Sequence, residues 1–283
     1  MNNKIDHTIY NGGDGLNIVH EKKDLTYLNW SHIRSSSGTA GTFLKSESNL
    51  DGKKTYYKLS DFDPVRGIIG HECVNEIIAD RLLTLLGVEH LSYELIHADV
   101  EIEGQVYSTY VCASLDFKKR GESKIALDDY YTANANKGED RYDFCSRMGW
   151  QHDIDIMLAV DYLILNRDRH GANIEVVRNA RARTLRIAPL FDHGLSLLYS
   201  CMTDTEAEKF DVLEDRQCKN FIGSYSCYEN LKFIQDKHGI FANPLVKSDK
   251  DFLFAGMEEI LPNVFINKIW DMIYGRYQIY EKL

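Results

Sequence analysis

Two stretches decide how this chain is read: LNRDRHGANI (165–174) and, fifteen residues after it, PLFDHG (189–194). Asp168 and Asn173 have four residues between them, and Asp192 stands two positions before Gly194. An isolated Asp-x-x-x-x-Asn is common in loops and carries no meaning by itself. Its setting carries more. Upstream, DIDIMLAVDYLILN (153–166) is apolar nearly all round, the pattern of a buried helix. Downstream, residues 174–178 and 184–188 read as short strands joined by the polar turn Asn179–Arg183.

The order is therefore buried helix, Asp loop, Asn at the start of a strand, hairpin, then Asp before Gly. Phosphoryl transfer needs these parts. One carboxylate orients and deprotonates the attacking hydroxyl, while an amide oxygen and a second carboxylate hold magnesium against nucleotide phosphates. The Asp168-to-Asn173 spacing equals that of the protein-kinase catalytic loop. A metal-dependent hydrolase built on Asp168, His170, Asp192 and His193 is a competing use of the same residues. It requires three or four ligands converging on one metal, and His193 lacks the paired spacing such motifs show.

Upstream, the cluster SSSGTAGT (35–42) can cradle phosphates through backbone N–H groups and hydroxyls, although it is not G-x-G-x-x-G. Asn49-Leu50-Asp51-Gly52 signals a hairpin. The strand after it, Thr55–Leu59, sets Lys58 on the face opposite Tyr57 and Leu59, where it can reach the α/β-phosphates. Residues 69–87 form an amphipathic helix, with Val74, Ile77, Ile78, Leu82, Leu85 and Leu86 as its stripe and Gly87 as its stop. A phosphate-contacting lysine is normally held by a glutamate of the next helix. Glu72 and Glu76 both lie opposite the stripe, so helical phase does not choose between them. Strands at 92–97 and 106–113 bracket Glu103-Gly104, completing a small antiparallel sheet with one helix. From 118 polar helical stretches follow, and 205–281 reads as helices separated near Gly223, Gly239, Pro244 and Pro262.

The wider composition narrows the classes. At 283 residues, 44% hydrophobic, the chain can bury a large core, and roughly 100–200 residues per domain suggests two lobes sharing a cleft. A net charge of −10 argues against direct nucleic-acid binding, which needs basic surface. The six scattered cysteines form no C-x-x-C pair and read as buried thiols of a reducing, cytoplasmic compartment. No apolar run reaches membrane-spanning length, and the first fifteen residues lack a signal-peptide core.

Asp168-Arg169-His170-Gly171-Ala172-Asn173, Phe191-Asp192-His193-Gly194 and Asn75-Glu76 ahead of IIADRLLTLLG together resemble the HipA-like serine/threonine protein kinases. ASLDF (113–117) matches their interlobe hinge more loosely. The similarity runs from about residue 30 to the C-terminus. It implies an α+β, two-lobed protein-kinase-like fold: a small antiparallel β lobe with one helix (1–112), a hinge (113–117) and a larger, mainly α-helical lobe (118–283). It implies an ATP- and Mg2+-dependent kinase with a protein serine or threonine as acceptor. Asp168 would be the catalytic base, with Lys58 and His170 grouped beside it; His170 would support the loop, contact phosphate or serve structure alone. Asn173 and Asp192 would be the magnesium ligands. Ser36, Ser37, Gly38, Thr39, Gly41, Lys58, Glu76 and the segment Ala113, Ser114, Leu115 and Asp116 would bind nucleotide, Glu76 being favoured over Glu72.

The resemblance also brings autophosphorylation of a serine among Ser35, Ser36 and Ser37, and an antitoxin-like regulator as partner. Full-length toxins of the family carry an extra N-terminal subdomain for which this chain has no room, so a compact, kinase-core-only member is expected. A small-molecule or phosphoinositide-like lipid kinase, and a catalytically silent nucleotide-binding module, are the alternatives. FIGSYSCYENLKFI (221–234) reads as core or as a docking surface.

Overall fold

The computed structural model describes residues 17–33, 40–50, 52–234 and 239–283. The first part is a strand-rich layer: β1 (Ile18–Asp24), β2 (Ser31–Ile33), β3 (Ala40–Leu50), β4 (Lys53–Lys58), β5 (Phe62–Asp63) and β6 (Gly67–Ile68). Then come helix α1 (Glu72–Leu86) and strands β7 (Glu94–Ile102) and β8 (Gln105–Leu115). Six strands form one sheet in the order β1-β7-β8-β4-β3-β2. Its hairpins follow their turn chemistry. Leu50 pairs with Lys53 across the Asp-Gly turn, with Gly52 at φ +76°. Ile102 pairs with Gln105 across Glu103 (φ +53°) and Gly104 (φ +82°), the two positive values a tight primed turn needs.

The sheet departs from the expected all-antiparallel one. β1 runs parallel to β7, Ile18 opposite Leu95, with a register shift between Val19 and Lys23. A parallel partner is not made by a local turn, so only the packed fold brings it there.

After β9 (Glu122–Ala126) the chain becomes largely helical: α2 (Leu127–Asn134), α3 (Arg141–Arg147) and α4 (Gln151–Leu163). Next are β10 (Asp168–Arg169), β11 (Glu175–Asn179) and β12 (Thr184–Ile187), then α5 (Asp204–Lys209), β13 (Lys219–Asn220) and α6 (Cys227–Phe233). Helices α7 (Asp249–Phe254) and α8 (Asn263–Tyr280) complete the described residues. The strand pair expected after Asn173 is β11 and β12, and β9 extends it to three strands.

Strand alternation divides the apolar residues between two cores. Tyr57, Leu59, Ile96, Val111 and Ala113 fill the outer face of the sheet. Leu95 and Cys112 face the other way, into a core shared by α1 and the helices α4 and α8. Here α1 differs from the amphipathic helix expected: its polar residues Glu72, Asn75, Glu76, Asp80 and Arg81 are buried as well. The apolar stripe packs in the core while the polar side closes over charged and hydrogen-bonding partners. All six cysteines are buried and unbridged. Among the described residues no helix is long and apolar enough to cross a membrane.

Candidate active site

Helix α4 ends in a buried anchor. Asp161, near its last turn, accepts Arg169 Nε at 3.0 Å through Oδ2, and Arg169 Nη2 at 2.8 Å and Asn166 Nδ2 at 2.9 Å through Oδ1. Arg169 is 1% exposed, and this bidentate pairing is what makes a buried guanidinium tolerable. Its Nη1 reaches two carbonyls, Asn173 O at 3.1 Å and Phe191 O at 2.8 Å. One side chain thus ties the Asp168 loop to the Asp192 segment. The backbone of Asp168 is pinned at both ends: its N–H donates to Asn166 Oδ1 at 3.2 Å, and its carbonyl accepts Asn173 Nδ2 at 2.9 Å. Gly171 is required sterically, since a Cβ there would lie 2.5 Å from Asp128 Cβ.

The second half of the site centres on Lys58. Its ammonium lies 2.7 Å from Glu76 Oε1 and 2.6 Å from Asp192 Oδ1. Burial opposes the charge, but the carboxylates of Asp192 and Glu76 more than offset it and hold Lys58 well above the ordinary lysine value. Glu76 Oε2 also accepts the His193 N–H at 2.8 Å, so one glutamate fixes both the lysine and the segment after Asp192. Asp192 adopts φ +59° and donates its N–H to Tyr93 Oη at 3.2 Å. Gly194 packs so closely that a Cβ would meet Lys58 Nζ at 3.0 Å and Glu72 Cβ at 3.2 Å. Burial, with the Arg169 charge adding to it, pushes the His193 imidazole well below its usual value, so the ring is neutral.

A cavity of about 640 Å³ opens over these residues, lined by Lys45, Lys58, Ser114, Asp116, Phe191 and Asp192 among others. The β7–β8 ladder ends at Glu94–Ala113, whereas β4 continues beside β8 to Leu115 and Asp116 N donates to Lys54 O at 3.0 Å. The backbone edge from Ser114 to Asp116 thus borders the cavity on the side that β7 has left.

The residues singled out in the sequence do not all come together. Lys58, Glu76 and Asp192 meet directly, and Asp168 and Asn173 are joined by a hydrogen bond. Glu72 takes a different partner, accepting Asp61 N–H at 3.2 Å. His170 lies 3.7 Å from Asp168 Oδ2, too far for a hydrogen bond, and is half-exposed. Ser114, Leu115 and Asp116 line the cavity, while the Ala113 side chain is buried in the outer core. Gly41 lies within β3; Ser35, Ser36, Ser37, Gly38 and Thr39 lie outside the described residues. The hydrolase arrangement is not formed: among the described residues no three His, Cys, Asp or Glu side chains converge as metal ligands.

Asn173 and Asp192 are each chemically suited to magnesium. Both offer oxygen, which a hard cation prefers, and magnesium is usually held by one or two carboxylates together with phosphates. The Asn173 amide is oriented by its Nδ2 bond to Asp168 O, and Asp192 keeps 17% of its side chain exposed at the cavity.

Sequence reasoning missed Lys45, whose ammonium is 4.0 Å from Asp192 Oδ2. Counting back from the Asp-Gly turn finds it, because the β3–β4 register sets Lys45 opposite Lys58. It also missed Lys124, 4.8 Å from the Phe117 ring centroid and 3.4 Å from Glu175 Oε2 at the cavity wall. No local pattern marks that residue.

No family model and no curated protein sequence matches the chain. Among solved structures it is similar to the Helicobacter pylori proinflammatory kinase CtkA, with a TM-score of 0.58 and 15% identity, covering 92% of this chain and 97% of that one. HipA of the Shewanella oneidensis HipA–HipB–operator DNA complex overlaps it far more loosely, with a TM-score of 0.39, 14% identity and coverage of 89% and 68%. The fold that carries Lys58, Asp168 and Asp192 is therefore similar to that of a known kinase.

Proposed function

We propose that the chain is an ATP- and Mg2+-dependent protein kinase of the compact HipA-like kind, transferring the γ-phosphoryl group to a serine or threonine hydroxyl. On this reading residues 1–112 form the nucleotide-holding lobe, 113–117 the hinge and 118–283 the catalytic lobe. The observation that carries it is Lys58, buried between Glu76 and Asp192 at the floor of the cavity. A lysine held by a helix glutamate beside a metal-binding aspartate is the arrangement an active kinase site requires.

The geometry supports a role for each residue. Lys58 neutralises the α/β-phosphates, and Glu76 keeps it extended toward them. Backbone groups of the Ser114–Asp116 edge receive the adenine. Asn173 and Asp192 would hold magnesium, which would supply charge neutralisation at the nucleotide phosphates. Asp168, half-buried and pinned through its backbone, orients the acceptor hydroxyl and takes its proton. Autophosphorylation within Ser35–Ser37 belongs to the same proposal, since a phosphate there would repel those of ATP.

The test is transfer of labelled phosphate from ATP with magnesium, alone and with a cell lysate, beside Asp168→Asn and Asp192→Asn. Asp168→Asn is expected to lose roughly 10²–10⁴-fold in transfer while still binding ATP. Transfer that survives both substitutions, or label found only on lipid or sugar, rejects the proposal.

A further inference from the structure

The two-residue strand β13 lies parallel to β10, with Asp168 opposite Lys219 and Arg169 opposite Asn220. Successive side chains of a strand point to opposite faces. Arg169 points inward, locked on Asp161, so Asp168 and Lys219 share the outward face. The backbone beneath Lys219 is fixed to the same loop: Lys219 N–H donates to Arg167 O at 2.9 Å, and Phe221 N–H to Arg169 O at 2.8 Å. On the other side of the strand, Asn220 Oδ1 accepts the Ile222 N–H at 2.9 Å and shapes the turn that follows.

The Lys219 side chain is exposed, and among the described residues it makes no ion pair within 4.0 Å, with Asp168 or any other carboxylate. The neighbouring cations are committed. Arg169 is neutralised by Asp161, Arg167 donates Nε to Gln217 O at 2.9 Å, and Lys58 is held by Glu76 and Asp192.

We propose that Lys219 is a catalytic residue that contacts the phosphoryl group in transfer from the Asp168 side of the cleft. This rests on the kinase reading above. In the transfer, the acceptor oxygen forms a bond to the γ-phosphorus as the bond to the β,γ-bridging oxygen breaks. The electron pair of the broken bond leaves with ADP, and the hydroxyl proton passes to the Asp168 carboxylate. Charge spreads over the three equatorial oxygens of the group in flight. A cation that meets them only there lowers the barrier without tightening ATP binding. Lys58 reaches the nucleotide from the sheet side; Lys219 stands beside the base, on the acceptor side.

The full chain and its Lys219→Met and Lys219→Arg variants test this with three readouts: ATP affinity, hydrolysis of ATP by water, and transfer to dephosphorylated casein. Lys219→Met is expected to lower kcat for hydrolysis and transfer by roughly 10²-fold, as removal of one transition-state contact does. ATP Kd and casein KM should stay within about twofold, the pattern of a contact made only in the transition state. Lys219→Arg should recover part of kcat by restoring the charge. A raised casein KM with unchanged kcat would make Lys219 a docking residue and overturn the proposal, as would an ATP Kd weakened as much as kcat. A wild type that transfers while Lys219→Met is unaffected removes this role alone. A wild type that binds ATP yet turns over neither acceptor removes the kinase reading, and this role with it.

Discussion

His71 stands immediately before α1, its ring set edge-on to Phe265 with centroids 5.2 Å apart. Its Nε2 is buried without a hydrogen-bond partner among the described residues. Burial lowers its pKa to about 4, against a smaller opposing effect from a backbone hydrogen bond at Leu198. In the unfolded chain the imidazole takes a proton near its ordinary value of about 6.5. Between these two values the unfolded state binds more protons than the folded one. The contribution is therefore fully present above about pH 6.5 and is lost as the pH falls toward 4. The integrated loss is about 3 kcal/mol. Urea unfolding at several pH values should show His71→Leu with a shallower fall over this window than the wild type; equal slopes would refute the assignment. Sequence spacing reveals nothing of this, because a lone histidine before a helix looks like any other. By contrast, the expectation for Asp168, Asn173 and Asp192 came from their spacing, and the structure joins Asp168 to Asn173 by a hydrogen bond and sets Asp192 against Lys58.

Helix α1 links the strand layer to the helices, and Arg81 is the link. Its side chain is buried, with Nη1 donating to Ala255 O at 2.7 Å and Leu253 O at 3.2 Å at the end of α7, and Nε donating to Asn17 Oδ1 at 3.0 Å. Those carbonyls end a helix and would otherwise be left without intrahelical partners. Replacing Arg81 by Met keeps much of the volume but strands these acceptors, for a loss of about 3 kcal/mol in chemical denaturation. A loss below about 0.5 kcal/mol, the range of surface changes, would show that α7 is held by its apolar contacts alone. At this scale the sequence was legible where local chemistry acts. The hairpins at Gly52 and Gly104 and the helices α1 and α4 were expected from turn residues and apolar periodicity. β1 was not, because IVHEKKD has a burial pattern without alternation and finds its place only beside β7. β13 is two residues long, too short for any periodicity, and its pairing with β10 is set by the fold around it. Glu76 and Glu72 are one helical turn apart, so helical phase left both open; the resemblance favoured Glu76, and Lys58 meets Glu76 at 2.7 Å.

Across the whole molecule, the cavity stands where strand-borne and helix-borne residues meet. Lys45, Lys58 and Ser114 come from the six-stranded sheet, and Glu175, Phe191 and Asp192 from the segments that follow α4. The core beneath is shared as well, with Leu95 and Cys112 of the sheet packed among α1 and residues such as Leu158 and Met272. A nucleotide bound there touches both layers, so its binding energy adds to the stability of the entire structure rather than to one layer. A non-hydrolysable ATP analogue with magnesium, at one hundred times its Kd, should raise the unfolding free energy by about 2.7 kcal/mol. Calorimetry should show a single transition moving as a unit. Lys58→Met should abolish the shift at the same ligand concentration, because it removes the cation and leaves Glu76 and Asp192 facing the phosphates unneutralised. Two transitions, only one of them moved by nucleotide, would mean that strands and helices unfold independently and that the shared core does not couple them. A shift that persists in Lys58→Met would place the nucleotide elsewhere than over the Lys58–Asp192 pair.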